Sequence, residues 1–120
     1  MKSFVTVIIA VGLLFCGLAR PSVAADCATI AADYDTALKA AQVCDPAVAD
    51  SCAASRPRSL RDVCRCEAAV NPNSTAELDR MAADFKAQSC AYDSPICRMA
   101  CTIPVHVCTA KDSSGACRGQ

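Results

Sequence analysis

From Asp26 to Cys44, apolar positions recur every three or four residues: Cys27, Ile30, Tyr34, Leu38, Ala41 and Cys44. That spacing lays one continuous stripe along a helix and leaves Asp33, Asp35, Lys39 and Gln42 off it. Asp26 stands where its carboxylate can accept from the free amides of the first turn. Asp45-Pro46 ends the helix, because a residue before proline avoids the helical region. A second helix is predicted over 57–70, with Leu60, Val63, Cys64 and Glu67 on one side. Ser74-Thr75-Ala76-Glu77 reads as a capping box that opens a third helix, which runs to Gln88 or Ser89 on a stripe of Leu78, Met81, Ala82 and Phe85. After Cys90 the texture changes. Ser94-Pro95 marks a helix start, and Cys97 and Cys101 then share one face of a short helical turn. Residues 102–107 are rich in β-branched side chains, but Pro104 restricts them to an edge or an extended strand. Residues 111–115 form a polar turn between Cys108 and Cys117. The pattern predicts a mainly α protein, a small disulfide-stapled bundle of three or four helices (26–90) with an irregular, pinned tail (91–120).

Ten cysteines are threaded through this pattern: Cys27, Cys44, Cys52, Cys64, Cys66, Cys90, Cys97, Cys101, Cys108 and Cys117. Cys27 and Cys44 sit at opposite ends of one helix face, about 25 Å apart, so they cannot bond each other. If the first and third helices pack antiparallel, Cys90 comes to Cys27, and Cys44 then finds Cys64 or Cys66. On a helix Cys64 and Cys66 point about 200° apart, which would send them to different partner surfaces. The even count argues for five bridges and no free thiol.

Residues 1–25 read as a secretory signal peptide. Lys2 precedes a 15-residue apolar run, 4–18, and Val23-Ala24-Ala25 offers cleavage after Ala24 or Ala25. The run is short of the ~20 residues a membrane-spanning helix needs. Cys16 follows Phe15, where a lipid-anchor site expects a small residue. The remainder, 26–120, is expected to be a single domain, with Tyr34, Phe85 and Tyr92 as its only aromatics and alanine as its main apolar residue. Such a thin core needs covalent help, and one bridge in a small secreted domain contributes ~2–5 kcal/mol. Secretion or a periplasmic location follows from the bridges and the leader together.

With that cysteine frame in view, the chain resembles a group of small exported cysteine-rich bacterial proteins. The likeness rests on Cys27, Asp33-Tyr34, Ala37-Leu38, Ala41, Cys44 with Pro46, Cys52, the close pair Cys64 and Cys66, Val70-Asn71, Leu78, Phe85, Cys90 and the four tail cysteines. It implies an extracytoplasmic cysteine-stapled domain. The group has no established activity, so the resemblance transfers no functional residues.

Charge excludes more than it selects. Beyond the leader, ten basic residues face twelve acidic ones, a net charge of −2, which disfavours nucleic acid as a partner. His106 is the only histidine; bridged cysteines leave it no thiolate to activate, and no Gly-x-Ser-x-Gly elbow is present. Asp33 and Asp35 diverge on a helix and read as solvated charges. Zinc would need a second CxxC or a histidine pair beside Cys64 and Cys66 or Cys97 and Cys101. No catalytic residue, cofactor or metal is therefore expected. Asn73-Ser74-Thr75 fits a glycosylation acceptor, yet a helix start already accounts for it. Two binding candidates stand out. Arg58, Arg61 and Arg65, preceded by Arg56, share one face of the predicted second helix and suit an anionic polymer, headgroup or acidic partner. Thr102, Ile103, Pro104 and Val105 lie in an extended segment between two cysteines, the way small inhibitors present a loop to a protease. The expected function is a monomeric, non-enzymatic exported binding or structural module for a protein or surface polymer, without a membrane segment in the mature chain. The alternatives are a protease-inhibitor or toxin-like effector using the 102–107 loop, and a carrier of a small apolar ligand.

Overall fold

A computed structural model describes residues 25–111 and 114–118. The leader expected at 1–25 falls almost wholly outside them. Helix α1 spans Cys27–Ala41 and buries Ile30, Ala31, Tyr34, Leu38 and Ala41, the stripe the sequence lays out. Asp26 caps it: Oδ1 accepts from the Thr29 amide at 2.7 Å. These amide bonds hold the Asp26 carboxyl below its ordinary range. Helix α2 spans Thr75–Ala87, buries Leu78 and Phe85, and packs on α1. Its exit is a Schellman motif. Ser89 adopts φ 54°, its amide donates to Lys86 O, and the Cys90 amide donates to Phe85 O at 3.1 Å. The turn delivers Cys90 to Cys27, and the two are bonded.

The rest departs from a helical bundle. There is no third or fourth α-helix among the described residues; two antiparallel sheets stand instead. Strands β1 (Val43–Cys44), β4 (Cys108–Lys111) and β5 (Ser114–Cys117) form one, in the order β1-β5-β4. Strands β2 (Ala54–Pro57) and β3 (Glu67–Val70) form the other, so the helix expected over 57–70 is a strand end, a loop and a second strand. The cause is local. Ser59 Oγ accepts from the Arg61 amide at 3.2 Å and Asp62 Oδ1 from the Cys64 amide at 2.8 Å, bonds that compete with helical ones. Arg65 is left-handed, with φ 52°. Ala68, Ala69 and Val70 are buried in succession, a continuous apolar run rather than a helical stripe.

Two smaller expectations also change. Ser74 makes no side-chain cap; Asn71 accepts from the Asn73 amide at 3.0 Å and opens a 3-10 turn, Pro72–Ser74, ahead of α2. Glu77 turns instead to Arg80, at 2.5 Å, an exposed pair that holds its carboxyl low. Cys97 and Cys101 lie on no helical turn. Because 57–70 is not helical, Cys64 and Cys66 do share one partner segment: they bond Cys97 and Cys101. Cys44 bonds Cys108 rather than Cys64 or Cys66, and Cys52 bonds Cys117. Each of the first five cysteines after residue 25 thus pairs with one of the last five. The four cysteines beyond Cys90 are all bridged to the 44–66 region, and the segment carries the paired strands β4 and β5.

Two interiors result. The first joins α1 and α2 through Tyr34, Leu38, Leu78 and Phe85, closed by Leu60 and Val70. The second is built of Cys44, Cys52, Ala69 and Cys117, with Cys108 against it. Tyr34 links α1 to β2: fully buried, it donates its hydroxyl to Pro57 O at 2.7 Å. Burial pushes its phenol up to about 12, with Arg56 pulling weakly the other way. The folded state therefore holds this proton more tightly than the unfolded chain, where the pKa is ~10. The stabilisation is complete below pH 10 and is lost as pH climbs from about 10 to about 12. In urea melts, Tyr34→Phe should flatten the decline in that window. At neutral pH it should cost about 1–3 kcal/mol, because Pro57 O loses its donor.

Candidate functional site

The tail beyond Cys90 is where apolar side chains meet solvent. It leaves α2 at Cys90 and is first held at Asp93, whose amide donates to Arg61 O at 2.9 Å and whose carboxylate meets Arg61 Nε at 2.8 Å. The Cys64–Cys97 and Cys66–Cys101 bridges then fasten it along the 58–66 loop. Between these fixtures Ile96 and Met99 face outward, and Ile103 does so just beyond the last; Met99 is 63% exposed and Ile103 85%. A cleft of about 480 Å³ opens beside the Cys64–Cys97 bridge, lined by Val63, Ile96 and Met99 and rimmed by Arg61, Asp93 and Arg98.

Residues 101–107 belong to no helix or strand. Their ends are covalent: Cys101 is tied to Cys66, just before β3, and Cys108 to Cys44 on β1. Between them Pro104 and Val105 are half-buried, while Thr102 and Ile103 stand free at the tip. The His106 ring adds a third anchor. Nδ1 lies 2.8 Å from Cys52 O, so it carries the proton and donates. Nε2 lies 3.4 Å from the Ser55 hydroxyl on β2. A histidine oriented by a carbonyl and facing a serine has the outline of a nucleophile pair. At this separation the contact is a weak hydrogen bond that holds the loop to β2. Sequence spacing carries no sign of it, since the two residues are 51 positions apart.

The arginines share no helical face, since 57–70 is not a helix: Arg58, Arg61 and Arg65 each line a different cleft, and the three clefts adjoin at Ser59. Arg61 is engaged by Asp93, and Arg56 is held by both Asp79 oxygens, at 2.6 and 2.9 Å. Those two donated hydrogen bonds keep the Asp79 carboxyl below its usual range. The sulfurs of Cys44, Cys52 and Cys117 lie within 4.8 Å of one another, a spacing thiolates could use for a soft metal. Each of the three is committed to a disulfide, and the cluster arises because two bridges stack in the second interior.

No helix among the described residues is long and apolar enough to cross a membrane. Five disulfides point to an oxidising, extracytoplasmic environment. No family model, curated protein or solved structure matches the chain. The fold and the tail define a small disulfide-rich module of a class compatible with life outside the cytoplasm.

Proposed function

We propose that this chain is an exported binding module without enzymatic activity and that the bridged tail is its contact surface. The observation that carries the reading is the row of outward apolar side chains, Ile96, Met99 and Ile103, on a segment fixed by covalent bonds. Apolar side chains held rigidly in water bind at low entropic cost, because the ordering is complete before the partner arrives. The partner is a protein or surface polymer rather than nucleic acid, in keeping with the negative balance beyond residue 25 and the pairing of Arg56 and Arg61. The leader at 1–25 and the likeness to small exported cysteine-rich proteins agree with delivery outside the cytoplasm. The carrier alternative is less favoured, since Tyr34, Leu78 and Val70, each under 2% exposed, fill the space between and beneath the helices where a ligand would lie.

The test compares the intact protein with a variant carrying Ile96→Ser, Met99→Ser and Ile103→Ser, each immobilised and exposed to the extracytoplasmic fraction of the producing cells. A species identified by mass spectrometry on the intact protein should be lost on the variant and kept on a Val48→Ser control, whose side chain is exposed elsewhere. Equal capture by all three proteins would refute the tail as the contact surface.

A further inference from the structure

We infer that two clefts meeting at Ser59 and Asp62 receive an acidic segment of a partner protein. Its apolar side chains enter the clefts, its carboxylates meet the cations around them, and Arg65 is the anchoring cation. The inference rests on the tail being a contact surface and names the chemistry of what it contacts.

The chain distributes its positive charge unevenly. Of the ten basic residues beyond the leader, six line the three clefts that adjoin at Ser59: Lys39, Arg58, Arg61, Arg65, Lys86 and Arg98. Of the twelve acidic residues only three do so, Asp35, Asp62 and Asp93. A face of +3 thus stands on a chain whose balance beyond residue 25 is −2. Among the described residues, Arg61 alone of the six has an ion-pair partner, Asp93. Arg56 and Arg80, outside these clefts, are each held by a carboxylate. Cations left unneutralised on one face steer and orient an acidic partner.

Charge alone would suit any polyanion; the two clefts narrow the choice. One, of about 370 Å³, is lined by Leu60, Phe85 and Tyr92, with Arg65 and Lys86 beside them. The other, of about 480 Å³, is lined by Val63, Ile96 and Met99, with Arg61 and Arg98. Both include Ser59 and Asp62, so they are neighbours. An acidic polysaccharide has no aliphatic side chains to fill such hollows. A lipid surface takes in apolar side chains that protrude, and does not fill concavities. A protein segment supplies apolar side chains and carboxylates together. Arginine, tyrosine and methionine are the residues enriched where proteins meet, and the guanidinium fork matches a carboxylate.

Arg65 singles itself out by its backbone. Its φ of 52° lies in the left-handed region that favours glycine, yet it carries an exposed guanidinium. The conformation is enforced from both sides: Cys64 and Cys66 are bridged to the tail, and the Arg65 amide donates to Asp62 O at 3.2 Å. A charged side chain on such backbone costs stability, and what it gains lies outside the fold. The same two bridges fix the tail side of the face before any partner arrives.

The test applies the labelled, oxidised protein to an array of peptides of about 15 residues, in which the numbers of acidic and of leucine or phenylalanine residues vary independently. Binding should require both, and should fall about tenfold or more between about 50 mM and 500 mM salt. The best peptide should bind in solution with a Kd of about 10 µM or tighter. Arg65→Glu and Arg98→Glu should each weaken it at least about tenfold. Arg118→Glu, exposed and outside all three clefts, should not. Arg65→Gly separates recognition from folding. It relaxes the left-handed backbone, so it should melt at or above the parent temperature with the parent's non-reduced mass, yet bind about tenfold more weakly. The inference is overturned if binding follows apolar content alone, or if lysine-rich peptides bind as well as acidic ones. It is overturned too if Arg65→Gly and Arg65→Glu bind like the parent, or if the protein ignores every peptide, whether or not it takes up polygalacturonate or phosphatidylglycerol vesicles. If it fails while the tail variant above still loses its captured partner, the contact surface stands and only the acidic chemistry is wrong. If the tail variant keeps that partner, the underlying reading falls as well.

Discussion

Replacing Cys27 and Cys90 together by serine should lower the unfolding free energy by about 4 kcal/mol, most of what a domain of this size has. The bridge spans 63 residues and joins the first residue of α1 to the exit of α2. The other four fasten the 44–66 region to the tail, so none of them substitutes for it. Without it the packing of α1 on α2 rests on the first interior, with Ile30, Tyr34, Leu38, Leu78 and Phe85 at its centre. A chain-entropy cost of this size scales only with the logarithm of loop length, so the result depends only weakly on how far the other bridges shorten the loop. Guanidinium unfolding of the double variant under non-reducing conditions measures the loss directly. A melting temperature lower by ~15 °C or more should accompany it. A shift of only a few degrees would mean that the helix pair holds by packing alone.

The second large effect is expected from a single methyl group. Gly115 lies in β5, the central strand of its sheet, opposite Cys44 and Ala110. A β-carbon there would be driven into the Cys108 sulfur, with Cys44 O at 2.9 Å and Pro46 Cγ at 3.0 Å. None of these neighbours can swing away: one is half of a disulfide, one is backbone and one is a ring. Gly115→Ala should therefore displace β5 or prevent the Cys44–Cys108 bridge from closing. The cost should be about 2–4 kcal/mol, combining overpacking with partial loss of a cross-link. A thiol label applied without reductant should find two reactive cysteines in a fraction of the molecules, and peptide mapping should place them at 44 and 108. Ala116→Ser, one residue on and facing solvent, should leave both readouts unchanged.

How much of this is legible in the sequence depends on the physics of each segment. Helices α1 and α2 are readable because each carries a stripe that only one period explains. The Cys27–Cys90 bridge is readable because antiparallel helices bring those ends together. The segment 57–70 misleads because Leu60, Val63 and Cys64 fit a helical stripe by chance, while the local bonds of Ser59 and Asp62 leave no trace in periodicity. The β-strands are four residues or shorter, and one contains a proline, so alternation has no length over which to appear. At the tail, the bracketing of 102–107 by cysteines is visible. The exposure of Ile96 and Met99 is hinted at only by apolar residues in a stretch with no period to bury them. The His106 contact to Ser55 is out of reach, because it depends on how an irregular segment meets a strand far away in sequence.

The order of the cysteines along the chain has a consequence for manufacture. A polypeptide threaded amino end first into an oxidising compartment presents Cys27, Cys44, Cys52, Cys64 and Cys66 before any of their rightful partners has emerged. An oxidase that joins thiols as they arrive makes only wrong pairs among those five. A chain delivered this way needs either oxidation delayed until the carboxyl end has crossed or an isomerase that undoes the early mistakes.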